Sequence, residues 1–399
     1  MNQNLGEELK ILVFGIFTAV NGILKNEKLS WQKKKLENCN NDSGKLWKNV
    51  LGWLNWCSSS APTKLFSAGQ IITSPSLLAN IMNTCFITKV NKIRQNLPPV
   101  NDDPLKTLKK IMENRNSVLS FKFVHPDEVK RVILGLKNSK SCGFDNIDTY
   151  ALKLAVDEIL PAVTHIINLS LQQCTFPSAW KVAKVIPLFK KGDSLEPKNY
   201  RPVAILVILS KVLERIVFKQ IVEYMDSQKL FNPNHHGFRG HHSTSTAMIQ
   251  MYDTWVEAVD QGEFAGVCML DMSAAFDVVD PDLLLQKLAL YGFDEEAVKW
   301  MRNYLTDRSQ SVYIDGSLSP PLNVEVGVPQ GSILGPLCYI IYTNDLPETI
   351  HEDRVHDSSN HTLHLHCTVC GGLCCFADNC TYSLVNKNTD ILSEKLTTN

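Results

Sequence analysis

A chain of 399 residues, 44% hydrophobic and 20% charged, has the composition of a globular protein with room for two or three domain-sized units. No run reaches the roughly 18 uninterrupted apolar residues of a membrane helix, and Glu7 and Glu8 stand where a secretory signal would carry basic residues, so Ile11 to Leu24 reads as a short buried helix or as an N-terminus outside the conserved unit. The net charge of −1 argues against a nucleic-acid enzyme only as an average.

The charge is unevenly distributed. Residues 181–240 hold 11 Lys and Arg against 5 Asp and Glu, whereas residues 251–300 hold 2 against 11. A basic segment that faces phosphates, followed by an acidic one that holds metal, would suit a polymerase. Two solvated helix faces would give the same count. The 12 cysteines do not form a disulfide framework. Cys268, Cys338, Cys374 and Cys375 lie in apolar runs and read as reduced thiols of an intracellular protein.

Residues 1–115 carry little helical signal. Lys33–Lys35, the tract from Asn38 to Ser43 and Pro98–Pro99 mark loops, and Trp31, Trp47, Trp53 and Trp56 suggest small apolar anchors. From Pro126 a helix is predicted, with Val129, Val132, Ile133 and Leu136 on one face. A glycine turn follows at Ser141–Asp145, then a helix from Thr149 that Pro161 should break. Val182–Leu188 reads as a strand and Ser210–Asp226 as a helix. Phe264–Asp271 is a buried strand, and Pro281–Tyr291 and Glu295–Leu305 are helices. Ser311–Ile314 and Leu322–Val326 are short strands, and Ile333–Asn344 is a helix. Leu373–Asp378 and Cys380–Val385 are predicted to form a hairpin around Asn379. The pattern predicts an α/β (α+β) fold with helices on one side of a small, largely antiparallel sheet.

Nucleotidyl transfer with two divalent ions needs carboxylates fixed at strand ends, holding ions roughly 4 Å apart. Two positions fit: Asp271 ends Gly266–Leu270, and Asp378 ends Leu373–Ala377. Each alone is weak, because a strand-terminal Asp is more often a turn or cap residue.

Their neighbours add to the case. Leu270-Asp271-Met272-Ser273-Ala274-Ala275-Phe276-Asp277 resembles the first palm motif of reverse transcriptases. Gly327–Pro336 resembles the nucleotide-contacting motif, and Phe376-Ala377-Asp378-Asn379 the aromatic-Ala-Asp-Asp motif that closes the site. Pro187–Asp193 with Tyr200–Pro202 resembles the fingers motif, Gly237–Arg239 with His242–Thr244 the next one, and Ser141–Asp145 an extra N-terminal motif. The chain is therefore identified as similar to non-LTR retrotransposon (LINE-type) reverse transcriptases over roughly residues 115–386.

The resemblance implies a right-hand polymerase palm with a ferredoxin-like split β-α-β core and attached fingers. It implies that Asp271, the Met272 carbonyl and Asp378 hold Mg²⁺ or Mn²⁺, with Asn379 beside them. Phe276 would lie beneath the sugar and disfavour a 2′-hydroxyl, with a plain core phenylalanine as the alternative. Gln330 and Gly331 would contact the nucleotide, and Lys190 (or Lys191) and Arg201 the triphosphate. An RNA template, a DNA primer and deoxynucleoside triphosphates are the implied partners, and nuclear or cytoplasmic residence follows only from the family. Residues 1–30 are unassigned, 31–115 resemble the linker upstream of the polymerase, and 116–399 resemble the polymerase domain. Within it the fingers span about 116–250 and the palm about 251–386, with the chain stopping before a thumb.

Three features depart from the family. Asn379 replaces the second aspartate, and an amide holds a hard cation less well than a carboxylate. Only 14 residues follow Val385, so a truncated, weakly active copy is expected. Between residues 351 and 375 lie five histidines and four cysteines. There Cys367 and Cys370 have zinc-knuckle spacing, with His364 or His366 and Cys374 to complete a site; the alternative is a flexible His-rich loop. The rival functions are an inactive nucleic-acid-binding remnant and an RNA-dependent RNA polymerase, the latter disfavoured by Phe276.

Overall fold

The computed structural model describes most of residues 27–38, then 61–97, 102–348 apart from 263 and 273, 364–372 and 376–386. The chain forms two compact units, residues 1–60 and 61–399. In the first, the described residues are helical, and the Lys35 ammonium lies 4.4 Å from the centre of the Trp31 ring. Trp31 is half exposed, so it is not the buried anchor expected of it. The stretch 11–24, Trp47, Trp53, Trp56, Pro98–Pro99, His351, His356, His361, Cys374 and Cys375 lie outside the described residues.

The second unit opens with a hairpin, β1 (Leu65–Ser67) and β2 (Gln70–Ile72), followed by helices α1 (Pro75–Gln95) and α2 (Lys106–Met112). Expecting little helix here was wrong. Pro75 sits in the first turn, where its missing N–H costs nothing. Leu78, Ala79, Met82 and Phe86 then form one buried face. Helix α3 (Pro126–Gly135) buries Val129 and Ile133 as expected. The next helical stretch breaks at Ala155, between α4 (Thr149–Leu154) and α5 (Val156–Gln172), and α5 runs through Pro161. Pro161 and Asp157 are both exposed, so water can take up the carbonyl that the proline leaves unbonded.

Strands β3 (Val182–Phe189) and β4 (Tyr200–Ile205) lead into α6 (Ile208–Ser227). Helix α7 (Thr244–Asp260), which hydrophobic period did not reveal, begins with a capping box between Ser243 and Thr246. Then come β5 (Phe264–Asp271), α8 (Pro281–Leu290), α9 (Glu295–Leu305), β6 (Arg308–Ile314), β7 (Ser317–Leu318), β8 (Leu322–Val324) and α10 (Leu334–Thr343). Strands β9 (His364–Gly372) and β10 (Phe376–Asn386) follow.

The fold is α+β, with two larger sheets instead of one. One is mixed, in the order β4-β3-β6-β7 with β8 paired to β6, and its β3–β6 pair is parallel. The other is antiparallel, in the order β5-β10-β9. Helix α1 covers the mixed sheet, packing Leu78, Met82 and Phe86 with Val185, Val312 and Ile314. Most other helices enclose a separate core in which Trp300 stacks on Tyr304 and Phe176 meets both edge-on. Burying each such side chain is worth roughly 1.5–3 kcal/mol. Its Trp300 indole N–H donates to Ser170 Oγ at 3.1 Å. Among the described residues no helix is long and apolar enough to cross a membrane.

Candidate active site

Strand β5 ends at Asp271, and its antiparallel neighbour β10 passes directly alongside. The register sets Asn379 across from Asp271 and Cys380 across from Leu270. Asp378 is therefore one residue along from the cross-strand partner of Asp271. On the other side of β10, the pairing with β9 shifts between Phe376 and Asn379. Irregularities of this kind re-aim the strand around them. The two acidic positions thus share one end of one sheet, although the residue directly opposite Asp271 is the amide. β10 runs unbroken through Asn379, so the expected hairpin around that residue is replaced by the β9–β10 pair.

After Asp271 the chain turns sharply. Ala274 has φ +58°, and its carbonyl accepts from the N–H groups of Asp277 and Val278. The turn meets the 327–335 segment edge to edge: Gly327 N–H donates to Val279 O and Val328 N–H to Phe276 O, both at 2.8 Å. The Gln330 side-chain amide donates to Asp277 Oδ1 at 2.6 Å. Burial raises the pKa of the Asp277 carboxyl, against the opposing pull of the Gln330 bond and the Lys89 charge. Gln330 O in turn accepts from Ala204 N–H on β4 at 3.0 Å.

Two glycines make these contacts feasible. Gly327 has φ +86°, and a Cβ there would stand 2.6 Å from Asp277 O. Gly331 has φ +112°, and a Cβ would stand 2.4 Å from Ala204 O. The far end of the segment is held by Glu214 of α6, a fully buried carboxylate. It accepts from Ile333 N–H at 2.6 Å, Leu334 N–H at 3.2 Å and Ser210 Oγ–H at 2.8 Å. The two backbone N–H groups are orphan donors at the start of α10, where negative charge is also favoured by the helix dipole.

Phe276 is half-buried between two rings, 5.0 Å from Tyr339 and 5.9 Å from Phe238 between centroids. Phe238 is 42% exposed and has φ +52°, a conformation costly for a bulky residue. Arg239 fixes this loop, donating from Nη1 to the carbonyls of Asn232 and His235. Lys190 and Lys191 are exposed at the end of β3, and Arg201 lies across from Leu188 on β4. Arg201 thus lies on β4, and the Gln330–Gly331 loop sits against Ala204 of the same strand. Met272 is half-buried and packs on the main core.

A family model described as reverse transcriptase (RNA-dependent DNA polymerase) matches residues 189–398, more than half of the chain. The chain belongs to the reverse transcriptases. Its relatives place it in the non-LTR, LINE-type branch. It is 33% identical over 230 residues to the probable RNA-directed DNA polymerase from transposon BS of Drosophila melanogaster, covering 57% of this chain and 25% of that protein. It is 31% identical over 263 residues to the RNA-directed DNA polymerase from mobile element jockey of the same fly, covering 64% and 28%. The probable polymerase from its transposon X-element is 32% identical over 224 residues, covering 56% and 25%. The chain spans about a quarter of the length of these relatives.

In this reverse transcriptase the zinc-knuckle expectation fails on backbone geometry. Cys367 and Cys370 fall on β9, which is extended from His364 to Gly372, so neither a knuckle nor a His-rich loop occupies that stretch. A knuckle needs a tight turn between its cysteines, and an extended strand separates residues three apart by roughly 10 Å. Among the described residues no group of three or more His, Cys, Asp or Glu could hold a metal ion. Sequence reading missed Glu214, Asp277 and the support that Phe238 and Tyr339 give Phe276. Glu214 had a signal: it falls at helical spacing among buried Ser210, Val217 and Ile221, and an acid on a buried stripe requires a partner.

Proposed function

We propose that this chain is the polymerising part of an RNA-directed DNA polymerase, with fingers and a split β-α-β palm, acting on a primed RNA template with deoxynucleoside triphosphates. The observation that carries the reading is the β5–β10 register, which sets Asp271 beside Asp378 and Asn379 at one sheet end. Hard oxygen donors at such an end suit Mg²⁺ or Mn²⁺. Asp271, the Met272 carbonyl and Asp378 would hold the ions, which when bound favour ionisation of the primer 3′-hydroxyl and neutralise triphosphate charge.

The remaining roles belong to the protein's own groups. Gln330 and Gly331 present backbone and amide to the nucleotide on a segment whose position is set by Asp277, Ala204 and Glu214. Lys190 and Arg201 would meet the phosphates, one as a mobile point charge and the other as a planar fork. Phe276 would bar a 2′-hydroxyl, its ring braced by Tyr339 and Phe238. A second reading, nucleic-acid binding with little turnover, is favoured by Asn379 facing Asp271, since an amide coordinates a hard cation less well.

Primer extension with deoxy- and ribonucleotides in turn tests both readings. Extension that is lost in Asp271→Asn and in Asp378→Asn, and raised by Asn379→Asp, is the expected result. Binding of primed template with no extension in any of these chains would favour the second reading. Phe276→Val should raise ribonucleotide use relative to deoxynucleotide by about tenfold or more. An unchanged ratio would leave Phe276 a core residue.

A further inference from the structure

Helix α7 is apolar on two faces, which is why no single hydrophobic period marks it in the chain. Ala247, Met251 and Ala258 are buried on one face, and the helix packs against the β5-β10-β9 sheet. Met248, Ile249, Tyr252, Val256 and Val259 lie on the other and are exposed, four of them by more than half. At steps of one, three and four residues they form one continuous stripe along about three turns. Exposed apolar side chains scattered singly need no account, whereas a continuous stripe marks a contact surface.

One edge of the stripe is acidic. Asp253 stands four residues after Ile249, and Asp260 four after Val256, with Glu257 between them; all three acids are exposed. Helix α7 has no Lys or Arg. Acids of α3 and α5 are paired, Glu128 with Lys219 and Asp157 with Lys130. Among the described residues no salt bridge reaches Asp253, Glu257 or Asp260. Glu257 accepts an amide hydrogen bond from Gln261 Nε2 at 3.5 Å, which leaves its charge uncompensated. Three carboxylates along about two turns repel one another, and cations brought beside them turn that repulsion into attraction.

We propose that this face of α7 docks an amphipathic helix of a partner protein, one with Leu, Ile or Val at steps of three and four residues and Lys or Arg along one flank. Helices laid side by side interlock residues three and four apart, which is the spacing of the stripe. The apolar side chains drive the association, and the acidic edge fixes which flank of the partner lies against it. The same charge disfavours other occupants. A phosphodiester backbone or an anionic lipid surface would set negative charge against negative charge. A second copy would bring no cation on its own α7 to meet the acids. Asp271, Asp378 and the nucleotide segment take no part.

The test is fluorescence anisotropy of a labelled synthetic peptide of about 18 residues, or five helical turns, titrated with the full chain. The peptide carries Leu on one helical face and Lys on the other. A second peptide of the same composition has the order shuffled so that no face is apolar. The first should bind, and the shuffled one should bind about tenfold more weakly or worse. Tyr252→Ser combined with Val256→Ser removes two apolar contacts without changing charge, and should weaken binding by about thirtyfold or more. Serine has a helix propensity close to those of tyrosine and valine, so α7 should persist in that variant. Asp253→Asn combined with Glu257→Gln should weaken binding by about fivefold at low salt and remove most of its salt dependence. No binding to the parent chain, equal binding of the shuffled peptide, or an unchanged affinity in the serine pair overturns the proposal. Sedimentation that finds the parent chain dimeric and the serine pair monomeric would make a second copy the occupant and also overturn it. The assay needs no turnover, so a chain unable to extend primers still decides it.

Discussion

The segment from Gly327 to Gly335 is held from every side, whereas the β3–β4 turn from Lys190 to Asn199 stands largely in water. The first is bonded to the turn after Asp271, to β4 and to a buried glutamate on α6. The second is closed by its own short bonds, such as Lys190 N–H to Asn199 O and Asn199 Nδ2–H to Asp193 O. Both flank the candidate nucleotide site and bear residues assigned to it. The contrast suggests two modes of action: the buried segment works by shape, where a displaced atom matters, and the exposed turn by charge, where geometry can relax. The loop at Phe238 belongs with the buried kind, since a half-exposed ring in a strained conformation needs a fixed base beneath it.

The largest effect should come from breaking the shape side. Gly331→Ala would force a Cβ against Ala204 O in a conformation that alanine disfavours, at a cost of about 2–4 kcal/mol. Thermal or urea unfolding should show that loss, and any primer extension should fall in parallel. A variant of parental stability would mean that the segment moves freely.

Acid should reach the Phe238 loop next. His235 is buried, and its pKa falls from 6.5 to about 3, chiefly through desolvation and then through repulsion from Arg239, His236 and His242. A folded pKa below the unfolded value gives stability that is complete above about pH 6.5 and lost as pH falls towards about 3. The loss is about 1.4 kcal/mol per pH unit in that window. Unfolding curves from pH 7 to pH 4 should show that slope, and His235→Gln should flatten it. If the slope persisted in the variant, other groups would be responsible.

Glu214→Gln keeps one carbonyl acceptor but removes the charge that three donors share. It should cost about 1.5–3 kcal/mol. Chemical denaturation measures this, and a neutral result would show that Ile333 and Leu334 find other acceptors.

The smallest effect on stability sharpens the other side of the comparison. Lys190→Ala should change stability by no more than about 0.5 kcal/mol. It should weaken deoxynucleoside triphosphate binding, raising the nucleotide KM in primer extension while leaving primed-template affinity unchanged. A large loss of stability would move Lys190 into the shape class.

Much of the candidate site is marked in the chain by local signals. Asp271 ends an apolar run and lies at the end of β5, and Gly327 and Gly331 mark backbone that must pass close to a neighbour. Helices α3, α8, α9 and α10 were legible in the chain, and the structure adds side-chain caps at Asp280 and Asp294. Helix α1 was missed although its buried face was present, because that face is narrow and flanked by loop-like sequence.

What tertiary structure alone decided joins residues far apart in the chain. Gln330 bonds Asp277 across 53 positions and Ile333 bonds Glu214 across 119, while parallel β3 and β6 align Val182 with Ser309. It also decided that Asn379, not Asp378, stands across from Asp271, and that Cys367 and Cys370 lie on an extended strand. Period, caps and turn residues report on the few residues around them. A register or a buried acid–amide bond depends on which surfaces meet once the core has closed, and one residue of slip turns every side chain of a strand to the other face.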